Sequence, residues 1–341
     1  MLLAINWDII FTQTFSQGFG TQALVFALAA IGLNIHYGYT GLLNFGQVGF
    51  MAVGAYGVGM AVFWLDIGFW PGLVLGVVYC LILALILGIP TLRLRADYLA
   101  ITTIAASETI RLSVRWRGNR ERTGAAEGIN DFADPFYDLN VFDRIGSRPY
   151  RFLFFEYRAD DLWVMLIGWS VVGLALLFTW QIMRSPWGRV VKAIREDEDA
   201  ARALGKNAYS YKLQSLIIGG VIGGIAGMLQ AIDKQSVQPD TFNPVITFMI
   251  WTVLIIGGAA RVWSPVVGAM LFWGLISGLE AFMRELLDTG LGDSLERYLN
   301  LNIQNVSQVR FMLFGLALMI VMRYRPQGIF GSREEMALDD R

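Results

Sequence analysis

The sequence predicts an all-α polytopic membrane protein with about nine transmembrane helices, within a range of roughly 8 to 10. Hydrophobic residues make up 55% of the 341 residues and charged residues only 16%, well below the roughly 25% of soluble domains. The mean hydropathy is +0.50. No charge occurs between Asp8 and Asp66 or between Asp66 and Arg93, and these gaps have room for three helices of about 20 residues.

Nine apolar segments are the predicted spans. The fourth, 97–112, carries Thr102, Thr103, Ser107 and Glu108, so we expect it to face protein rather than lipid. Before the first span, apolar residues near the N-terminus either lie at the membrane interface or begin an extra span. The nine segments are 21–38, 44–64, 70–92, 97–112, 162–183, 212–232, 243–260, 263–283 and 305–322.

Glycine spacing predicts close contacts between helices. The chain has 37 glycines, and a dense set in the sixth span has spacings of three and four: Gly219, Gly220, Gly223, Gly224 and Gly227. Such spacing places glycines on one helix face and lets two backbones approach. Tight packing is the favoured interpretation. The alternative is a surface that slides as a transporter changes conformation.

Composition argues against several function classes. The net charge is −1 and no basic stripe is visible, so no nucleic-acid partner is expected. His36 is the single histidine, which argues against a histidine metal site or a clustered catalytic set, and Cys80 is the single cysteine. No P-loop sequence is present. We therefore expect no metal, no bound cofactor and no enzymatic activity in this chain, and any ATP hydrolysis would need a separate subunit.

Basic residues predict the orientation of a single membrane domain over 1–341. The segment after the fifth span and the C-terminal tail are both rich in lysine and arginine, so we expect both to be cytoplasmic. Nine spans then place the N-terminus outside. The loop 113–160 is predicted to be extracytoplasmic although it carries eight arginines, because it also carries eight acids and long loops follow the rule weakly. It is predicted to fold as a small external cap.

The charged stretch after the fifth span predicts a short cytoplasmic helix. Ala193, Ala200 and Leu204 are spaced by seven and four, so they would share one helix face. Gly205 and Asn207 suit the end of that helix. Small apolar residues on one face can dock into a groove on a partner. The alternative is a solvated loop that only links two spans.

Several ordered stretches resemble a known family. Asp199-Ala200-Ala201 followed by Gly205 looks like the EAA-type motif of ABC importer permeases, with Asp in place of Glu and without the later Leu-Pro of the longer motif. Other stretches resemble the permeases for branched-chain amino acids, and together they cover residues 21–325 in order. These stretches are 32–34, 38–47, 54–56, 91–101, 185–189 and 257–268. The loop 113–160 departs from the family pattern except at Thr123-Gly124 and Gly128-Ile129.

The resemblance implies a subunit of an ATP-driven importer in the bacterial plasma (inner) membrane. Expected partners are a second homologous permease, two ATP-binding subunits that use ATP and Mg, an extracytoplasmic substrate-binding protein, and membrane lipid. Loop 184–210 would hold the coupling helix that contacts the ATPase. Its expected contact residues are Glu196, Asp197, Asp199, Ala200, Ala201, Leu204 and Gly205.

Polar residues in the spans are candidates for the translocation path. They are Asn34, Asn44, Gln47, Thr102, Thr103, Ser107 and Glu108. Arg111 lies three residues beyond Glu108, and Arg284 lies four beyond Glu280, so each acid could pair on its own helix. Glu108 is therefore a candidate both for structural pairing and for the path. Glu280 is nearer a charged loop and is left out of the path.

Other functions remain open from the sequence. A permease of the same class could carry urea or short-chain amides, which the span motifs do not separate from amino acids. A channel or secondary transporter acting without ATP would need a selectivity filter or coupling-ion groups, and few carboxylates lie in the spans. A membrane enzyme would need a clustered catalytic set, and one histidine makes this unfavourable.

Overall fold

A computed structural model describes residues 6–92, 96–145, 150–152, 155–287, 312, 315, 316, 319, 323, 324 and 328–330. These residues are predominantly helical. The helices are α1 (Trp7–Phe19), α2 (Thr21–Leu33), α3 (Gln47–Phe63), α4 (Phe69–Thr91), α5 (Ala96–Arg115), α6 (Arg120–Thr123), α7 (Asp134–Tyr137), α8 (Val141–Ile145), α9 (Ala159–Arg184), α10 (Pro186–Glu196), α11 (Glu198–Ala203), α12 (Ala208–Lys234), α13 (Pro244–Gly257) and α14 (Ser264–Leu287). A π-helical segment (Asn34–Tyr39) extends α2, and short 3₁₀ turns span Arg117–Asn119 and Pro239–Phe242.

Each of the first eight predicted spans coincides with a helix. Within the described ranges, five helices are long and apolar enough to cross a membrane, namely α2 with its π-helical extension, α4, α9, α12 and α14. The apolar helices α3 and α13 are shorter than predicted. Residues 44–46 precede α3 as a loop, and α13 stops at Gly257 because Gly258 takes a φ of +97°. The predicted ninth span, 305–322, lies outside the described residues except for isolated positions.

The core surrounds α2, which is apolar on all sides and buried from Ala23 to Leu33. Helices α9, α12, α13 and α14 pack around it, and α3 and α4 extend the core on the other side of α12. A helix that is hydrophobic all round belongs in the interior of a bundle. The more exposed apolar side chains of α4 and α9 face outward, where a bilayer would solvate them.

Glycines on α12 allow α3 to approach α12 closely. A Cβ on Gly54 of α3 would lie 2.8 Å from the Cα and carbonyl carbon of Gly224. A Cβ on Gly220 would lie 2.5 Å from Cε1 of the Phe50 ring. The tight-packing interpretation of the α12 glycines is therefore confirmed, and sliding between these surfaces stays a prediction.

A folded cap occupies most of the predicted 113–160 loop. Its boundaries differ from the prediction, because α5 continues to Arg115 and α9 begins at Ala159. The cap contains α6, α7 and α8, and it adds small β elements to a chain predicted to be all-α. Strand β1 (Ile129–Asn130) pairs antiparallel with β4 (Ser236–Val237), and β2 (Tyr150–Phe152) pairs with β3 (Phe155–Tyr157).

One cap residue fixes α7 to the end of α12. The Tyr137 hydroxyl donates a hydrogen bond to the Ile232 carbonyl at 2.9 Å. Burial, reinforced by the charge of Asp233, raises the pKa of Tyr137 to about 12. The hydroxyl therefore stays protonated and remains a donor at neutral pH.

The N-terminal helix α1 packs antiparallel against α14. The Trp7 ring lies 6.3 Å from the Phe282 ring, tilted by 33°, and Gly18 lies beside Met270 and Gly274. With 13 residues, α1 is about 20 Å long and too short to cross a bilayer by itself. Its exposed aromatic side chains suit a membrane interface, which was one of the two alternatives for this region.

Candidate functional site: the α10–α11 loop and the buried polar cluster

The prediction that Ala193, Ala200 and Leu204 share one face of a single helix is wrong, because the chain breaks at Asp197. Asp197 has φ −153° and ψ 103°, which ends α10 and starts α11. Its carboxylate accepts a hydrogen bond from the Ala200 backbone N–H at 2.9 Å, as an N-cap. Ala193 therefore lies on a different helix from Ala200. The spacing of the small apolar residues favoured a continuous helix. The capping hydrogen bond of Asp197 instead starts a new helix at this point.

Residues 185–207, which hold α10 and α11 and are called the α10–α11 loop, present one side outward and pack the other inward. Ala201 is only 4% exposed and packs with Ile194 and Ala208 in the chain's own core. Leu204 is 81% exposed, and Ala200 is exposed beside it. Ala201 is thus part of the internal packing, whereas Ala200 and Leu204 form an apolar exposed surface. The other expected contact residues are also exposed, namely Glu196, Asp197, Asp199 and Gly205.

Two residues after α11 have different roles. Gly205 takes φ +76°, the left-handed conformation that ends a helix. Asn207 was predicted to end the same helix, but its side chain accepts a hydrogen bond from the Ser210 N–H and begins α12. The loop therefore passes directly into one of the longest helices of the bundle.

A cluster of buried polar side chains lies beyond the C-terminal end of α2, close to α10. The His36 cluster consists of His36, Asn44 and Gln47, and all three are fully buried. His36 Nε2 donates to the Leu216 carbonyl at 3.1 Å, so the ring carries its proton there and Nδ1 accepts from Asn44 Nδ2 at 3.0 Å. Asn44 Nδ2 also donates to Gln47 Oε1 at 2.9 Å.

The side-chain polar atoms of the His36 cluster all have partners. Gln47 Nε2 contacts the carbonyls of Ala29 and Gly219, both at 3.3 Å, and Asn44 Oδ1 accepts from the Gly46 N–H at 2.8 Å. Fully satisfied networks of this kind fix one arrangement of a core, because leaving any buried member unpaired is costly.

Glycines of α12 create the space for this cluster. A Cβ on Gly219 would lie 2.6 Å from His36 Cδ2 and closer still to Nε2, and a Cβ on Gly223 would lie 3.0 Å from Gln47 Cδ. Part of the α12 glycine set therefore accommodates polar side chains, while Gly220 and Gly227 accommodate α3 and Gly224 accommodates Cys80 of α4. The spacing predicted close approach but could not distinguish these two kinds of neighbour.

The predicted path residues fall into two groups. Five are buried: Asn34, Asn44, Gln47, Thr103 and Ser107. Their side chains hydrogen-bond within the chain. Asn34, for example, accepts from the Ala260 N–H at 2.9 Å and donates to the Arg261 carbonyl at 2.8 Å. Their role in a path stays a prediction.

Thr102 and Glu108 lie on the other, partly open face of α5. Glu108 accepts hydrogen bonds from Arg111 Nε at 2.9 Å and Nη2 at 2.5 Å. Arg111 also contacts Asp240 at 3.0 Å. The predicted pairing of Glu108 with Arg111 is confirmed, as is that of Glu280 with Arg284 at 2.8 Å.

Several contacts were not anticipated from the sequence. The Trp251 indole N–H donates to the Asn44 carbonyl, and the Thr247 hydroxyl accepts from the Val48 N–H, both at 3.1 Å. Arg195 Nη1 donates to the Gly38 carbonyl at 2.5 Å. These contacts join residues far apart in sequence, and no local pattern would have identified them. Among the described residues, no three His, Cys, Asp or Glu side chains gather as a metal site.

The long apolar helices define a multi-pass membrane protein. Residues 17–323 match the family described as "Branched-chain amino acid transport system / permease component". The chain therefore belongs to this permease family, and the resemblance inferred from its motifs is confirmed.

Three relatives are named as permease proteins for branched-chain amino acids. It is 27% identical to the high-affinity branched-chain amino acid transport system permease protein LivM of Salmonella typhimurium, and equally to that of Escherichia coli, covering 96% of this chain and 73% of each relative. It is 25% identical to the probable branched-chain amino acid transport permease protein LivM of Methanocaldococcus jannaschii, covering 89% of this chain and 90% of the relative. No solved structure matches the chain.

Proposed function

We propose that this chain is a membrane-spanning subunit of an ATP-driven importer for branched-chain amino acids. It would work with a second permease, two ATP-binding subunits and an extracytoplasmic binding protein in the plasma membrane of a bacterium. Membership of the permease family supports the transport role. The observation that carries the ATP-coupled part is the exposed apolar surface at Leu204 on the loop between α9 and α12.

The α10–α11 loop has the features of a docking element. It combines a rigid base with an exposed tip. Ala201 anchors the base in a small core with Ile194 and Ala208, and Leu204 and Ala200 project from it. An apolar side chain that enters a groove on a partner supplies most of such a contact. The nearby charges set orientation and rate more than affinity. On this account the loop and the C-terminus are cytoplasmic.

The translocation path would lie along the outer face of α5. Thr102 and Glu108 are the predicted path residues that are not closed off by the chain's own packing. Beside α5, exposed Phe248 of α13 lies 5.8 Å from the Phe45 ring. Because α13 contacts α5, polar groups of α5 and an exposed aromatic side chain of α13 lie on adjoining helices, a combination that suits an amino acid with an apolar side chain. A second permease would close the other side of the path.

Leucine-stimulated ATP hydrolysis by the complete complex in proteoliposomes tests this proposal. Leu204→Asp should abolish stimulation or prevent the ATP-binding subunits from co-purifying, because a charge replaces the apolar contact. Leu139→Asp is the matched control, since Leu139 is an exposed leucine of the cap, and the ATP-binding subunits should co-purify with it as with wild type. Normal stimulation in Leu204→Asp would refute the docking assignment. Stimulation of wild type by urea or an amide, but not by leucine, would reassign the substrate.

A further inference from the structure

One hydrogen bond joins the α10–α11 loop to the π-helical segment of α2. Arg195 Nη1 donates to the Gly38 carbonyl at 2.5 Å across 157 residues of sequence. Among the described residues, no backbone N–H donates to the Gly38 carbonyl. The N–H groups that follow the segment donate elsewhere, that of Gly41 to the Tyr37 carbonyl and that of Leu42 to the His36 carbonyl. Arg195 therefore serves as a side-chain cap for a carbonyl that the helix leaves free.

A second basic side chain contacts the same segment from the same helix. Lys192 lies three residues before Arg195, one turn away, and its Nζ is 5.6 Å from the centre of the Tyr39 ring. The stem of Arg195 also passes over Gly41, where an added Cβ would lie 3.4 Å from Arg195 Cγ. Helix α10 thus holds the π-helical segment at both its backbone and its aromatic side chain.

The held segment leads directly into the buried core. His36 belongs to the same six-residue π-helical segment as Gly38. Its ring bonds to Asn44 on one side and to the Leu216 carbonyl of α12 on the other. A connection made of the Arg195 hydrogen bond, the backbone of the segment and the hydrogen bonds of His36 therefore runs from α10 to α12. A π-helical turn is also a frequent site of functional adjustment in helices.

We propose that Arg195 is a positioning residue that transmits movement of the α10–α11 loop to the π-helical segment and the His36 cluster. This inference rests on the proposed function, in which ATP-binding subunits move the loop. When the loop moves, the Gly38 carbonyl moves with the guanidinium, and His36 and its partners on α12 must follow. Without the bond, the ATP-binding subunits still dock at Leu204, but fewer hydrolysis events change the arrangement of the spans.

The test compares leucine uptake with ATP hydrolysis in the same proteoliposomes, using the whole complex. Arg195→Gln should keep ATP hydrolysis within about twofold of wild type and lower leucine transported per ATP about tenfold, the factor expected for loss of one charge-assisted hydrogen bond. Arg195→Lys should recover part of the ratio, because an ammonium group can still donate to the carbonyl. Arg189→Gln is the matched control, with the same charge lost on α10, and should leave the ratio unchanged.

The outcomes separate this inference from the proposed function. A wild-type ratio in Arg195→Gln would overturn the inference while leaving an ATP-driven importer intact. If Arg195→Gln fails to assemble, a ratio in Arg195→Lys equal to that of wild type would also overturn the inference, because the shorter lysine is expected to recover only part of the ratio. Absence of ATP-dependent leucine uptake in the wild-type complex would refute the proposed function itself.

Discussion

The close contact between α3 and α12 predicts how much stability is lost when one methyl group is added there. Gly54→Ala would place a Cβ 2.8 Å from the Cα and carbonyl carbon of Gly224, and closer still to its oxygen. The obstacle is backbone, so the two helices must separate by about 1 Å to restore van der Waals distances. Overpacking of this kind costs about 1–3 kcal/mol, and we expect Gly54→Ala to lie near the upper limit because no side chain can move aside.

The same substitution on α9 is the control. No described atom lies within 4 Å of a Cβ on Gly173, and alanine is favoured over glycine in a helix by about 1 kcal/mol. Gly173→Ala should therefore be neutral or stabilising. Because the same preference for alanine applies at Gly54, the two variants should differ by the overpacking cost of about 1–3 kcal/mol. The assay is unfolding of the purified chain by SDS in mixed micelles, followed by circular dichroism. Equal stability of the two variants, or a more stable Gly54→Ala, would refute the packing argument.

Two further predictions concern buried polar groups. Asn44→Ala removes three side-chain hydrogen bonds and should destabilise the chain by about 2–3 kcal/mol in the same assay, whereas Asn130→Ala, on the exposed side of β1, should change stability by less than about 0.5 kcal/mol. Equal effects of the two changes would contradict the network. Cys80 is fully buried and donates to the Phe50 carbonyl at 3.5 Å, so a membrane-permeant maleimide should label it after denaturation but not in the folded protein. Equal labelling rates in both states would contradict its position in the core.

The apolar spans were predictable because charge is excluded from them by solvation physics alone. The absence of charges between Asp8 and Arg93, apart from Asp66, was enough to predict three helices there. The bounds were less accurate where a local polar contact ends a helix. Residues 44–46 leave the helical conformation before α3, and Asn44 turns into the His36 cluster, which hydropathy does not detect.

The proposed docking loop was predictable in position but not in detail. Its charge and its small residues predicted a helix that could bind a partner. Which residues face outward depends on the break at Asp197, and this break places Ala201 inside and Leu204 outside. The contact of Arg195 with Gly38 could not be inferred at all, because it depends on how α10 returns to the end of α2. Polar residues of the spans were correctly recognised as unusual, but the sequence could not show which of them satisfy each other.

A cross-linking experiment tests most directly whether the α10–α11 loop binds the ATP-binding subunits. Leu204→Cys and Leu139→Cys are introduced separately, each is labelled with a maleimide carrying a photo-reactive benzophenone, and the assembled complex is irradiated. We predict that the probe at Leu204 cross-links to an ATP-binding subunit and that the probe at Leu139 does not. An assembled, ATP-hydrolysing complex in which Leu204 gives no such product, or in which Leu139 does, would contradict the account.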